Sequence, residues 1–217
     1  MDLGQHLRNL EEGAVVSYAF EWTKLPSDLT VDPQRLNETE RIRYQRFSRE
    51  TSRFAFLAGR CVLRSILELS VSDRPIMIDL EAGGKPFCPH PLSPRFNLSH
   101  SEHWLFVAFC QDQPLGVDVE ETHRANDVAA LTDRCFSVSE RARVDVGGRG
   151  EFFRIWTRKE ARLKASGEGL RVRLSDVDTL AEEAEGLWRF ETVTLSDGVV
   201  ASLCYAGERR AHVYTRC

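Results

Sequence analysis

The chain has 217 residues, of which 42% are apolar and 29% charged, and its formal net charge is −4. This length can build a sizeable core in one domain or two small ones, and the small net charge excludes a global attraction to nucleic acid or to an anionic membrane. The apolar runs are shorter than the roughly 18 residues of a membrane span, and the charged first 13 residues do not resemble a signal peptide. Six cysteines without a CxxC pair favour buried thiols and a reducing, cytoplasmic setting.

The first half of the chain predicts a strand, two helices and three further strands. Residues 14–22 are apolar and β-prone, 36–50 are a charged helical segment, and 54–69 are a more apolar helix. Strands are expected over 76–80, 95–98 and 104–110, the last of them buried. The simplest interpretation of the arginines around the second helix is that they solvate its exposed side; these are Arg53, Arg60 and Arg64.

A loop rich in glycine and proline separates the predicted strands at 76–80 and 95–98. Within its GGKPF segment, at 83–87, two glycines permit positive φ and a proline stiffens the exit, so Lys85 is displayed on a tight turn. The segment lacks the pattern of a phosphate-binding P-loop, and a lysine on a turn also serves solubility alone. Ser99 and His100 suit an anion or nucleotide site, but they equally suit a turn.

Residues 115–120 predict a strand whose two faces differ. Val117 and Val119 point one way, and Asp118 and Glu120 point the other way. Two carboxylates about 7 Å apart on one face repel each other unless a cation lies near them. The alternative is an acidic edge that faces solvent, but the preceding apolar strand indicates a central position.

The second half predicts a helix over 125–135, a capping box from Ser137 to Glu140, and a loop over 147–150. A long helix follows and ends at two glycines. Strands over 187–195 and 199–206, joined by a Ser-Asp-Gly turn, indicate a hairpin, and a last strand is expected over 211–216.

The helix that begins at residue 152 carries an unusual carboxylate. Glu160 lies in its apolar stripe, between Trp156 and Leu163. Burying a lone carboxylate there costs several kcal/mol, roughly, so it needs a cation, a metal or hydrogen-bond donors. The alternative is an exposed pair with Lys164, worth about 0.3–0.5 kcal/mol. The opposite face is expected to be solvated by Arg154, Arg158 and Arg162.

Asp118, Glu120 and Glu160 together offer the hard oxygen ligands that Mg²⁺ prefers, with water and substrate phosphate in the remaining positions. Zinc is not expected, since neither His nor Cys accompanies them at ligand spacing. Lysines around such a cluster indicate phosphate chemistry. The residues alone therefore predict a Mg²⁺-dependent enzyme that acts on a phosphate ester or anhydride.

Five motifs, in this order along the chain, also resemble a known protein family. They are GGKPF at 83–87, FNLSHS at 96–101, GVDVE at 116–120, FSVSE at 136–140 and WTRKEARLKASGEGL at 156–170. Together they resemble the 4′-phosphopantetheinyl transferases, in particular the pseudodimeric type that modifies carrier proteins of polyketide, nonribosomal-peptide and fatty-acid synthesis. GRCVLR at 59–64 is a looser similarity.

The resemblance implies an α/β (α+β) fold of two similar subdomains, 1–112 and 113–217, each a small sheet with a long packed helix. Coenzyme A would bind in the cleft between them. It implies transfer of the phosphopantetheine arm of coenzyme A to a serine of an acyl or peptidyl carrier protein, with release of adenosine 3′,5′-bisphosphate. The nucleophile would then belong to the partner.

The resemblance also implies roles for individual residues. Mg²⁺ would be held by Asp118, Glu120 and Glu160, and Lys164 would contact the phosphates. Glu160 would accept the serine proton directly or through water, with Glu140 as a second candidate. The nucleotide end would be held by Lys85, Ser99 and His100. Arg53 is a further candidate, although it lies two residues from the position at which the family's arginine precedes the GRCVLR segment. The expected carrier contacts are His123, Arg124, Val128 and Arg134.

Two other functions fit the same residues. A phosphohydrolase would use water as the acceptor and would cleave coenzyme A without a carrier. A binding module would hold the ligand without turnover. We expect a monomer, because two subdomains in one chain already form a cleft, and we expect neither a nucleic acid nor a membrane as a partner.

Overall fold

The structure is a computed structural model that describes residues 10, 14–25, 29–70, 76–81, 83–123, 127–180, 183–184, 188–207 and 211–216. Its helices are α1 (Glu38–Gln45), α2 (Glu50–Ser70), α3 (Val128–Cys135) and α4 (Val138–Ser166). Its strands are β1 (Val15–Glu21), β2 (Asp79–Leu80), β3 (Pro86–Phe87), β4 (Arg95–His100), β5 (Trp104–Cys110), β6 (Leu115–Glu121), β7 (Glu183–Ala184), β8 (Trp188–Ser196), β9 (Val199–Ala206) and β10 (Ala211–Arg216). The predicted α+β class is confirmed.

Two four-stranded sheets form the frame, with strand orders β10-β1-β5-β4 and β6-β9-β8-β7. Every residue of β5 is buried, because both faces of this strand pack against apolar layers. Leu105, Val107 and Phe109 join the core beneath α2. Phe106 and Ala108 face the second sheet, where they meet Val117, Val119 and Leu203. The two sheets therefore share a core, and each also carries a helix.

The predicted division into 1–112 and 113–217 falls between β5 and β6, the strands that belong to different sheets. The last strand, β10, belongs to the second part in sequence but to the first sheet in space, because it pairs in parallel with β1. The division itself stays a prediction.

Several local predictions were wrong in informative ways. The predicted helix over 36–50 is shorter, because α1 ends at Gln45 before α2 begins at Glu50. The predicted loop over 147–150 is instead a kink within α4, at Gly148 with φ 62°. Strand β6 is an edge strand of its sheet rather than a central one, yet Asp118 is buried because α4 and β4 cover it.

The arginines expected in solvent are largely internal. Arg60 and Arg64 are 6% and 4% exposed, and both pair with the buried carboxylate of Glu40. Burial lowers the pKa of Arg60 to about 10, against the opposing effect of Glu40. Arg158 is buried too: it donates to Thr192 Oγ1 and to a backbone carbonyl. Ion pairing with Glu40 holds Arg60 and Arg64, and hydrogen bonds hold Arg158.

The five described cysteines are unpaired, as predicted; they are Cys61, Cys88, Cys110, Cys135 and Cys204. Four are buried, and burial raises the pKa of the Cys204 thiol to about 12. Within the described ranges, none of the helices combines the length and the apolar character needed to cross a membrane.

Candidate active site

The site begins with a close approach of two backbones, those of β6 and α4. A Cβ atom on Gly116 would lie 2.2 Å from the carbonyl oxygen of Ala161 and 2.4 Å from the amide nitrogen of Ala165. Only a residue without a side chain allows this approach. Because Ala161 lies between Glu160 and Lys164 in sequence, the glycine brings both of these side chains to the polar face of β6.

Asp118 and Lys164 form the centre of the site. Lys164 Nζ lies 2.7 Å from Asp118 Oδ1 and 3.0 Å from Ser99 Oγ. Ser99 Oγ donates to the same carboxylate oxygen at 2.8 Å. Lys164 also donates to the carbonyl of Val117 at 3.1 Å. One strand of each sheet and α4 thus contribute to one charged cluster.

The second oxygen of Asp118, Oδ2, is buried and has no hydrogen-bond partner within the described structure. Glu160 lies close enough to Asp118 for the two carboxylates to interact electrostatically. Burial, and then the charge of Asp118, raise the pKa of Glu160, whereas the Lys164 ammonium acts in the opposite direction. Two neighbouring carboxylates with one orphaned oxygen form an arrangement that attracts a cation.

The third predicted ligand is Glu120, which is partly buried and lies one residue before the end of β6. In the part of the chain that the structure describes, three metal-ligand atoms lie within 4.8 Å of one another at Glu102, Glu121 and His123, not at the three predicted ligands. Asp118, Glu120 and Glu160 therefore do not present three oxygens at that spacing in this conformation.

A cleft of about 370 Å³ opens beside Glu160 and Lys164. The hairpin of β2 and β3 supplies one wall, including Gly84, whose φ is +81°. The turn predicted around Lys85 is thereby confirmed. Gly167 and Gly169, which follow α4, line the cleft as well.

Lys85 reaches across this cleft to backbone acceptors. Its Nζ donates to the carbonyl of Lys164 at 2.8 Å and to that of Leu115 at 3.1 Å. Burial lowers the pKa of Lys85, and Glu81 opposes that effect. The lysine therefore lies at the site in addition to tying the hairpin to α4 and β6.

Two predicted nucleotide contacts lie outside this cleft. His100 is exposed and borders a separate pocket with Arg49, Ser52 and Glu102. Arg53 donates to the carbonyl of Phe47 at 2.7 Å, and its guanidinium lies 5.8 Å from the centroid of the Tyr44 ring. The structure thus brings together Asp118, Ser99, Glu160, Lys164 and Lys85, but it places His100 and Arg53 outside this cleft.

Glu140 has a different environment. It is 0% exposed and forms the predicted capping box with Ser137 at the start of α4. It also pairs with Lys159 at 2.7 Å, and Lys159 is likewise 0% exposed. In this conformation the Glu140 carboxylate is enclosed, whereas Glu160 lines the cleft, so Glu160 is the better placed of the two candidate proton acceptors.

The predicted carrier contacts lie after β6 and along α3. His123 and Arg134 are exposed and Val128 is partly exposed, whereas Arg124 lies outside the described residues. His123 Nε2 lies 3.5 Å from Glu121 Oε2, and His103 Nδ1 lies 3.0 Å from the same oxygen. The turn that follows β6 is thereby attached to the turn between β4 and β5.

Sequence reasoning missed three residues that build the site. Gly116 stood in a motif, but nothing in its neighbours indicated a contact with a distant helix. Asn97 accepts the amide of Val117 at 2.9 Å and so ties β4 to β6. The burial of Lys159 was not expected, because lysine is rarely buried. Its position next to Glu160 in the motif was the one sequence signal that it belongs near the site.

Comparison with known proteins identifies the family of the chain. The family model described as the 4′-phosphopantetheinyl transferase superfamily matches residues 114–213. The 4′-phosphopantetheinyl transferase HetI of Nostoc sp. is 32% identical over 187 residues, which cover 79% of each chain. The 4′-phosphopantetheinyl transferase AcpT of Salmonella typhimurium is 31% identical over 148 residues, 66% of this chain and 74% of the relative.

A third relative is the 4′-phosphopantetheinyl transferase Sfp of Bacillus subtilis. It is 29% identical over 147 residues, and the match covers 64% of this chain and 63% of that protein. The extent of the match to HetI, together with the family model over β6, α4 and the strands that follow, decides the assignment. The chain belongs to the 4′-phosphopantetheinyl transferase superfamily.

Proposed function

We propose that this protein transfers the 4′-phosphopantetheine arm of coenzyme A to a serine of an acyl or peptidyl carrier protein. The observation that carries the proposal is the convergence of Asp118, Glu160 and Lys164 beside a cleft that also receives Lys85. These groups suit a pyrophosphate, because phosphoryl transfer depends mainly on positioning and on neutralising charge. Family membership supplies the transferred group.

The acidic residues fit a divalent cation on one observation of this structure, the orphaned Oδ2 of Asp118. Asp118 and Glu160 would hold Mg²⁺, with Glu120 as the third carboxylate, since hard oxygen ligands match this ion. When bound, the ion supplies electrostatic stabilisation of pyrophosphate charge. Ser99 and Lys164 orient the Asp118 carboxylate through its other oxygen.

The chemical step forms a bond between the carrier serine Oγ and the phosphorus that bears the pantetheine arm. The bond from that phosphorus to the bridging oxygen breaks, and adenosine 3′,5′-bisphosphate leaves with the electron pair. Glu160 accepts the serine proton, directly or through a water molecule. Lys164, at one helical turn from Glu160, contacts the phosphates and reduces the negative charge that develops on them.

The nucleotide end is the remaining part of the substrate. We propose that Lys85, Ser99 and His100 hold it, with Lys85 closest to the cleft that Glu160 lines. Arg53 is a weaker candidate, because its guanidinium already binds the carbonyl of Phe47. Exposed His123 and Arg134 are the proposed contacts of an acidic carrier.

Intact-mass spectrometry of an apo carrier protein tests the proposal. Incubation with the enzyme, coenzyme A and Mg²⁺ is expected to add about 340 Da to the carrier, and EDTA is expected to prevent the addition. Consumption of coenzyme A without carrier labelling would instead indicate a phosphohydrolase. Coenzyme A bound but unchanged, with several acyl and peptidyl carriers unlabelled, would indicate a binding module.

We further propose that the protein acts as a monomer in the cytoplasm. Its five described cysteines are unpaired thiols, which suits a reducing compartment, and the two sheets of one chain already bring Ser99 and Asp118 together. Sedimentation at working concentration tests the oligomeric state: a dimer would contradict this part.

A further inference from the structure

A buried ion pair lies beside the site but takes no part in the proposed reaction. Glu140 Oε2 and Lys159 Nζ are 2.7 Å apart, and both residues are 0% exposed. Replacing such a pair by apolar residues of similar volume is often neutral or stabilising. Stability alone is therefore a poor reason for two charges at this position.

The pair connects three parts of the protein. Glu140 Oε1 accepts the backbone amide and the hydroxyl of Thr179, each at 3.0 Å, and Oε2 accepts the amide of Ser137 at 2.8 Å. Lys159 donates to the carbonyls of Leu174, at 2.7 Å, and Val177. The start of α4, its later turns and the segment 174–179 are thus bound to one another.

This segment continues directly from the cleft. Residues 167–179, which we call the strap, begin with Gly167 and Gly169, two residues that line the cleft and adopt positive φ. The strap then returns to α4, where Lys159 and Glu140 hold its far end. The strap therefore supplies two residues of the cleft at its start and is anchored by the buried pair at its far end.

Lys159 also fixes the rotation of α4. Adjacent residues of a helix point about 100° apart, so a Lys159 side chain bound in the interior sets the direction in which Glu160 projects. Gly116 sets the distance between the helix and β6 on another side. Rotation and distance together determine where the Glu160 carboxylate lies relative to Asp118.

We propose that Glu140 and Lys159 are positioning residues, whose buried pair holds Glu160 at its angle beside Asp118 and anchors the strap that borders the cleft. The inference rests on the proposed function, because it assigns the purpose of the pair to the cation-binding carboxylates. In this role Glu140 and Lys159 touch neither the substrate nor the reacting atoms.

The test compares Glu140→Gln with a core variant that loses a similar amount of stability. Leu63→Ala is suitable, because Leu63 is 1% exposed in the core beneath α2. Glu140→Gln keeps the shape of the side chain, but it removes the counter-charge of Lys159 and one of the two acceptor oxygens. At a temperature where both variants are folded, we expect kcat of Glu140→Gln to fall about tenfold, as when a supporting contact of a metal ligand is lost. We expect the KM for coenzyme A to change less than threefold.

Binding of Mn²⁺ to the protein without substrate, followed by electron paramagnetic resonance, gives a second readout. Affinity for Mn²⁺ is expected to weaken about tenfold in Glu140→Gln and to be unchanged in Leu63→Ala. If Glu140→Gln fails to fold, Thr179→Val replaces it, because that variant removes only the hydroxyl donor to Glu140. Its kcat is expected to fall about threefold, a milder loss of the same kind.

The outcomes separate this inference from the proposed function. Wild-type protein that labels no carrier would overturn the proposed function itself. An active wild type, with kcat and Mn²⁺ affinity of the folded Glu140 or Thr179 variant equal to those of Leu63→Ala, would overturn the positioning role alone. A loss in the pair variants that the core variant does not share would establish it.

Discussion

Gly116→Ala is the substitution whose effect follows most directly from the geometry. The added Cβ would lie 2.2 Å from the Ala161 carbonyl oxygen, whereas ordinary contact begins at 3.4 Å, so strand and helix must separate by about 1 Å. Overpacking of this kind costs about 1–3 kcal/mol of folding stability, which lowers Tm by about 2–12 °C in a chain of this size. Because Glu160 and Lys164 flank the contact, a displacement of about 1 Å is expected to reduce transfer about 100-fold.

The assay is the initial rate of carrier labelling by intact-mass spectrometry, accompanied by circular dichroism and a thermal melt. Gly150→Ala is the matched control on the same helix, since a Cβ there meets nothing within 4 Å. We expect the control to retain wild-type activity. A Gly116→Ala protein with transfer within twofold of wild type would refute the argument that this approach places the two side chains.

Three further predictions concern single residues. Asp118→Ala is expected to abolish transfer at any attainable Mg²⁺ concentration while the fold persists; full activity in a well-folded variant would remove this carboxylate from the ion site. Lys85→Ala is expected to raise the KM for coenzyme A more than it lowers kcat, because the lysine would bind the ground state and the transition state equally. An unchanged KM would exclude Lys85 from the site. Hydrogen bonds from Arg154 hold the pKa of Glu151 below its ordinary 4.5. The Glu151 carboxylate therefore stabilises the fold at neutral pH, and this contribution is lost as pH falls through its lowered pKa. The Tm values of wild type and Glu151→Gln are expected to converge in acid. A Tm difference that stays constant with pH would contradict this.

Local patterns predicted much of the frame, because burial on one face of a strand leaves a period of two in the sequence. In β6 this period placed Val117 and Val119 in the core between the sheets, as the structure shows. The capping box at Ser137 and the turn at Lys85 were predicted for a similar reason: each depends on neighbours a few residues apart.

Long-range pairing could not be predicted in this way. Arg158 was expected in solvent, and no partner was predicted for Lys159. Both bind the strap, and Arg158 also binds β8, at least 15 residues away in the sequence. The edge position of β6 and the return of β10 to β1 likewise depend on which strands meet in space. For the same reason the pairing of Glu140 with Lys159 could not be predicted.

Transfer requires both products of coenzyme A to appear together, and this stoichiometry is the most direct measurement. Holo-carrier and adenosine 3′,5′-bisphosphate are quantified in one time course, with wild type and Asp118→Ala, and with EDTA added midway. We expect equal molar amounts of the two products from wild type, an arrest of both by EDTA, and neither from Asp118→Ala. Nucleotide released in excess of holo-carrier, or labelling that continues after EDTA, would contradict the account.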